Sequence, residues 1–172
     1  MSYWRWAMVT VPSIVLIGTA IGLLSNSGYG NRWFAALNLP AITPPGWVFA
    51  LAWTVLYACL GLALAMVLNA RGAKGRSFAL LLFFVQLIAN FIWSPLFFGA
   101  HQVTSALYLI IFILMVTVAT YFAFSPIRKA AAWLLAPYIA WLAFAAYLTF
   151  QIDRANPDAE TLVPAAASTQ IS

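Results

Sequence analysis

Charge is what this sequence most lacks. Only 6% of its 172 residues are Asp, Glu, Lys or Arg, while 65% are hydrophobic. Water-soluble domains carry about 25% charged residues. This chain has too few to cover a surface that faces water, so it belongs in a bilayer. Acids are scarcest. The three carboxylates, Asp153, Asp158 and Glu160, all fall near the C-terminal end. Pumps and coupled transporters usually keep ionisable residues within their spans, and none lies inside an apolar run here. That argues against proton- or sodium-coupled transport. One His (His101) and one Cys (Cys59) are too few for a metal site, which needs three or four ligands. Cys59 lies within an apolar run and His101 in a polar break, which disfavours a Cys–His nucleophile pair. Cys59 reads as a small buried hydrophobe and His101 as a polar loop residue. Axial ligation of a haem iron by His101 stays open as a weaker reading. No metal site, catalytic constellation or obligatory cofactor is expected.

Other absences narrow the class further. Period-two alternation is missing, which disfavours a membrane β-barrel. No internal repeat is visible, so an inverted-repeat transporter is not expected. No dense basic face exists, so nucleic acid is not an expected partner. The first apolar run is longer than a signal h-region, and Ser25-Asn26-Ser27-Gly28 reads as a turn, so it is taken as a retained helix.

What is present is long charge-free stretches. No Lys, Arg, Asp or Glu occurs in 6–31, 33–70, 77–127 or 130–152. A spanning helix takes about 20 apolar residues. The third stretch accommodates two helices, with a break at Gly99-Ala100-His101-Gln102. The expected fold is therefore an all-α integral membrane protein, a bundle of five transmembrane helices in one domain, 1–153. The helices are placed near 4–24, 46–69, 78–98, 103–124 and 130–153. Residues 154–172 are small, polar and Pro-containing, and are expected to form a disordered tail. Five spans put Arg5, Arg71, Lys74, Arg76, Arg128 and Lys129 on one side, against Arg32 and Arg154 on the other. The positive-inside rule then places the N-terminus in the cytoplasm. The net charge of +5 is a topology signal.

The spans are rich in aromatics: 8 Trp, 7 Tyr and 13 Phe. In the second span, Phe49, Trp53 and Tyr57 recur at i, i+4 and i+8, which keeps them on one helix face. Trp47 points elsewhere and suits a headgroup anchor. Thr43 is a plausible N-cap for this span, with the Pro44-Pro45 pair at its start. The third span carries Gln86, Asn90, Trp93 and Phe97 on one face. An amide in hydrocarbon needs a partner, so Gln86 and Asn90 face helices or a ligand. Pro95 removes a backbone donor and predicts a kink. The fifth span aligns Tyr138, Trp141, Ala145 and Leu148, where small Ala145 beside large rings leaves room for a flat guest. Three such faces could wall a small-molecule cavity. From periodicity alone, packing and interfacial anchoring are the commoner explanation of such stripes.

Taken in order, Pro44-Pro45, Trp47, Phe49, Trp53-Thr54, Leu56-Tyr57, Gln86-Leu87, Asn90, Trp93, Pro95, Phe97-Phe98, Pro137-Tyr138 and Trp141 resemble the TspO/MBR family. This is the group of bacterial tryptophan-rich sensory proteins and the mitochondrial translocator protein. The similarity covers about 1–153. It implies a five-helix bundle, usually a homodimer, with a pocket open toward the first loop. It implies binding of porphyrins or haem, sterol-like lipids and benzodiazepine-site drugs, with a part in sensing or transport. The family's pocket residues fall on Trp53, Tyr57, Asn90, Trp93 and Trp141, with Phe49 and Phe97 beside them. Ala145 matches a position where a small residue influences sterol and drug binding. With Tyr138 from the fifth-span stripe, these form the expected ligand-binding set.

The chain departs from the family in places. Many members carry Trp just before the Pro-Pro pair, where this chain has Ala41 and Ile42. The last helix has Leu148-Thr149 where Leu-Asn is common. The sterol pattern L/V-x₁₋₅-Y-x₁₋₅-K/R fails at Tyr147, because Arg154 lies one residue too far. It matches in the loop at Leu24, Tyr29 and Arg32, and reversed forms match at Arg32 and Arg76, so it has little discriminating power. Small-xxx-small pairs, Gly18/Gly22 and Gly61/Ala65, allow close helix approach, within the chain or between copies.

The expected function is a membrane receptor or binding protein for tetrapyrroles and related hydrophobic ligands. Ring propionates would meet Arg32 or loop amides at the mouth. The alternatives are a light-dependent porphyrin-degrading enzyme working through Trp or Tyr radicals, and a passive transporter. A bacterial inner membrane is the expected location, with an outer membrane as the other option.

Overall fold

The computed structural model describes residues 2–163. Six α-helices run in the order α1 (Tyr3–Leu24), α2 (Arg32–Ala36), α3 (Gly46–Asn69), α4 (Arg76–Ser94), α5 (Val103–Phe124) and α6 (Lys129–Ala155). A π-helical turn, Pro95–Gly99, extends α4, and a 3₁₀ turn, Ala159–Thr161, follows α6. Five of these segments are long and apolar enough to cross a membrane: α1, α3, α4 with its π turn, α5 and α6. The protein is an integral membrane bundle of five helices. The physical reason is backbone satisfaction: in hydrocarbon, a helix pairs its own N–H and C=O groups within one segment.

The bundle is apolar on both sides of its walls. Outward-facing Trp4, Leu16, Phe78, Leu81, Tyr108, Phe122 and Trp133 are exposed. Inside, Leu60, Val67, Phe83, Ile113, Leu135 and Leu142 pack as one core. A second cluster caps one end and joins Trp33, Phe34, Phe97, Val103, Leu148 and Ile152. Trp93 packs against both.

Small residues set the tightest crossing. A Cβ on Gly61 would lie 2.6 Å from the Val11 Cα, so α1 and α3 touch backbone to backbone. Thr10 Oγ1 donates to the Gly61 carbonyl at 2.7 Å across this contact. A Cβ on Gly18 would lie 2.2 Å from the Tyr57 ring. Gly18 and Gly61, one from each small-residue pair, therefore serve packing within the chain, while a Cβ on Gly22 would meet nothing within 4 Å. At the end of α3, Arg76 donates from Nε to the Val67 carbonyl (2.8 Å) and from Nη2 to the Leu68 carbonyl (3.0 Å). A guanidinium on the last carbonyls satisfies acceptors that the helix leaves open.

Three details differ from the sequence reading. Thr43 does not cap α3: its hydroxyl donates to the Pro40 carbonyl at 2.6 Å, and Pro45 holds the N-cap position. Both prolines thus precede the helix. Pro95 re-registers α4 as a π turn: with no N–H there, the turn widens and Ala100 N–H reaches the Pro95 carbonyl at 2.8 Å. The stretch 154–163, assigned from composition to a disordered tail, is built in its described part. Asn156 exchanges hydrogen bonds with the Asn38 backbone, 2.8 Å to its N–H and 3.1 Å to its carbonyl. Ala159 is buried, and its carbonyl accepts the Trp33 indole N–H at 2.8 Å. These partners come from the first loop, which composition cannot see. The remainder of the expected tail, 164–172, lies outside the described residues.

Candidate functional site

A cavity of about 320 Å³ opens at the end of the bundle where α1 stops and α3 begins. Its walls come from α1, α3, α4, the π turn and α6, with Ile110 from α5. Phe49, Trp53 and Tyr57 line it from α3, one turn apart, because their spacing keeps them on one face. Asn90, Trp93 and Phe97 line it from α4 and the π turn. Trp141, Ala145 and Leu148 line it from α6. The three faces read from the sequence converge on one space.

The rings pack mostly edge to face, which favours the quadrupoles of aromatic pairs. Trp141 meets Phe49 at 5.7 Å and Trp53 at 6.5 Å, both at 82°. Trp93 stacks on Phe97 at 5.0 Å and 11°. The Trp93 indole N–H donates to the Ala106 carbonyl at 3.0 Å, which pins this ring to α5. The floor is polar. Tyr57 Oη donates to Asn90 Oδ1 at 3.0 Å, and both residues are buried. That bond answers why an amide sits in the middle of a span: its acceptor is paired within the bundle.

The roof is the first loop. Ser27, Gly28, Tyr29 and Phe34 line the cavity there. Tyr29 Oη donates to the Pro44 carbonyl at 2.9 Å, across the mouth to the start of α3. Ser27 and Ser94 hydroxyls hydrogen bond, tying the end of α1 to the α4–π junction. Asn31 fixes the loop twice: Oδ1 accepts from Phe34 N–H at 3.1 Å as the N-cap of α2, and Nδ2 donates to the Phe98 carbonyl at 3.1 Å. Ala41 and Ile42 are exposed and do not line the cavity.

Of the nine residues expected to bind ligand, Phe49, Trp53, Tyr57, Asn90, Trp93, Phe97, Trp141 and Ala145 line the cavity and Tyr138 does not. Tyr138 has the right direction but the wrong depth. It sits about one turn below Trp141 and Leu142 on α6, fully buried, with its ring 6.4 Å from Trp53. It supports the wall from beneath. Arg32 is exposed on α2 and is not part of the wall. His101 stacks on Trp33 at 4.4 Å and 13°, away from the cavity. Cys59 is half-buried and also away from it. No group of three or more His, Cys, Asp or Glu occurs among the described residues.

Sequence reasoning missed the wall supplied by α1: Gly18, Thr19, Ile21, Gly22 and Leu23. The signal was there in Gly18 and Gly22, but it pointed equally to helix packing. It also missed Phe34, whose marker was the Asn31 N-cap three residues before it.

The fold and the site define a class: a five-helix integral membrane protein with an aromatic-walled cavity at one end of the bundle. The chain belongs to the TspO/MBR family, which matches residues 8–155. It is 37% identical over 154 residues to the tryptophan-rich protein TspO of Chlorobaculum tepidum, covering 84% of this chain and 98% of that one. It is 36% identical over 126 residues to the tryptophan-rich sensory protein of Cereibacter sphaeroides, 73% of this chain and 78% of the relative. It is 35% identical over 142 residues to the human translocator protein, 81% and 84% of the two chains.

Proposed function

We propose that this protein is a membrane receptor for a flat hydrophobic ligand of the tetrapyrrole class, with sterols and benzodiazepine-site drugs as related occupants. One observation carries the reading: a cavity of about 320 Å³ whose walls are aromatic and whose floor offers a hydrogen-bonded Tyr57–Asn90 pair. Small-molecule sites are usually apolar clefts of about 300–1,000 Å³ with few polar groups. At this volume a macrocycle would seat one edge against Trp53 and Trp141. Its polar edge would lie at the mouth, by Ser27 and Tyr29. Binding would take place in a bacterial inner membrane with the N-terminus cytoplasmic, as the Lys and Arg asymmetry favours. The expected assembly is a homodimer.

The test is quenching of tryptophan fluorescence by protoporphyrin IX in detergent. Saturable quenching is expected, and Trp53→Phe and Trp141→Phe should each weaken it about tenfold, or about 1.4 kcal/mol. Unchanged affinity in both variants would remove this cavity as the site.

A second reading has one supporting observation. Trp53 lies 5.3 Å from Tyr57 and 6.5 Å from Trp141, ring to ring, an array that could carry radical chemistry on a bound porphyrin. Product formed on illumination by the wild type but not by Trp53→Phe supports it; bleaching at the protein-free rate removes it. Passive transport is read separately, by porphyrin flux into proteoliposomes.

A further inference from the structure

The stretch after α6 is fastened to the roof of the cavity at two points. Asn156 holds the Asn38 backbone: Oδ1 accepts its N–H at 2.8 Å and Nδ2 donates to its carbonyl at 3.1 Å. Three residues on, the Ala159 carbonyl accepts the Trp33 indole N–H at 2.8 Å, in a buried bond. Trp33 and Asn38 lie on either side of Phe34, the residue of α2 that lines the cavity. Trp33 also stacks on His101 at 4.4 Å and meets Phe97, part of the cavity wall, edge to face at 5.5 Å. With its indole held at Ala159, α2 has little freedom to leave the cavity.

The segment that does the holding is itself lightly held. Pro157, Asp158, Glu160 and Thr161 are exposed, Leu162 is half-buried, and Ala159 is the buried residue among 156–162. Segments with few buried apolar contacts open at low free energy, and the lids of ligand sites are drawn from them. A net hydrogen bond contributes roughly a fivefold preference, so the three bonds to Trp33 and Asn38 favour the fastened state by about a hundredfold. That keeps the segment down most of the time without making the contact permanent.

We propose that residues 156–162 are a strap on the roof, and that α2 carries Phe34 off the cavity only when the strap lifts. Asn31, bonded to the Phe98 carbonyl at 3.1 Å, holds the other end of α2 and serves as its pivot. Trp33 and Asn156 do not line the cavity. They are positioning residues: they set how fast a ligand enters and leaves, without touching it. The proposal rests on this cavity being the ligand site.

The experiment joins Asn38→Cys to Asn156→Cys in a Cys59→Ser background. Only the backbone of Asn38 takes part in the contact, so its side chain is free to be replaced. Without a cross-linker, both Asn156 bonds are lost. Protoporphyrin IX should then leave the protein in detergent roughly tenfold faster than it leaves Cys59→Ser, by stopped-flow tryptophan fluorescence. Joining the two thiols with a short bis-thiol cross-linker should slow entry and exit below the Cys59→Ser rates. A merely structural loss cannot produce that slowing, and equal rates in all three forms would overturn the proposal. Hydrogen exchange without ligand gives an independent reading at the Phe34, Ala35 and Leu37 amides. Their acceptors, in Asn31 and Phe34, are untouched by the substitutions. Exchange there should be roughly tenfold faster in the uncross-linked form; an unchanged rate overturns the strap. If no form binds porphyrin, the ligand reading fails and exchange alone decides the strap. Should the double variant fail to fold, Asn156→Ala gives the release and exchange rates in its place.

Discussion

Gly18→Ala is the sharpest perturbation that the packing offers. A methyl at Gly18 would lie 2.2 Å from Tyr57 Cε2, 2.6 Å from Cζ and 2.8 Å from Cδ2. Real Cβ contacts do not come so close, so something must move. Tyr57 has little freedom. Its hydroxyl is held by Asn90 at 3.0 Å, and its ring lies 5.3 Å from Trp53 and 6.0 Å from Phe91. Moving α1 away is also costly, because Gly61 and Val11 touch backbone to backbone two turns along the same interface. Overpacking a tight core costs about 1–3 kcal/mol. A displaced Tyr57 also gives up its hydrogen bond to Asn90, about 1 kcal/mol. Alanine in place of glycine returns about 1 kcal/mol of helix propensity. The net expectation is a loss of about 1–3 kcal/mol. Ligand affinity should fall as well, because Tyr57 is part of the floor. Gly22→Ala is the matched control: a Cβ there meets nothing within 4 Å. It should hold or slightly raise stability, since only the propensity gain remains. Thermal unfolding and porphyrin titration of both variants in one detergent measure the difference. If Gly18→Ala matches Gly22→Ala in stability, the account of the α1–α3 crossing is wrong.

Three further outcomes follow from single contacts. Tyr57→Phe leaves buried Asn90 Oδ1 unpaired and should cost about 1–3 kcal/mol by thermal unfolding; no loss would mean the floor rearranges freely. Trp33→Phe keeps a ring against His101 but loses the indole N–H to the Ala159 carbonyl. Limited proteolysis should then cut within 156–163 faster, while cleavage at the wild-type rate would show that the Asn38–Asn156 pair suffices. In a Cys59→Ser background, Lys74→Cys should label only after the inner membrane is permeabilised and Arg32→Cys should label in intact spheroplasts; the reverse pattern would invert the proposed orientation.

The membrane class and the five spans were legible because both rest on local quantities. A charge-free run long enough to cross hydrocarbon must be a helix, whatever it packs against. The stripes were legible for a similar reason. Side-chain direction repeats with the helix, so Phe49, Trp53 and Tyr57 had to share a face, as did Asn90, Trp93 and Phe97. Pro95 announced a break because it carries no N–H, although the π turn that answers it depends on where Ala100 and Gln102 find acceptors.

Depth, company and closure were decided by the tertiary structure. Direction along a helix does not say where a cavity ends, so Tyr138 shares its stripe with Ala145 and still lies beneath the wall. Gly18 and Gly22 allow close approach to any partner. Only the assembled bundle sets Gly18 against Tyr57 and leaves Gly22 facing the cavity. Residues 154–163 read as a tail because their own side chains bury little. They are ordered by bonds that Asn38 and Trp33 supply from more than a hundred residues away in sequence. The solvent, the helices and their faces follow from the chemistry of neighbouring residues alone. The roof, the floor and the first helix's share of the wall required the chain to close on itself, because each is made by contacts between segments that no local pattern joins.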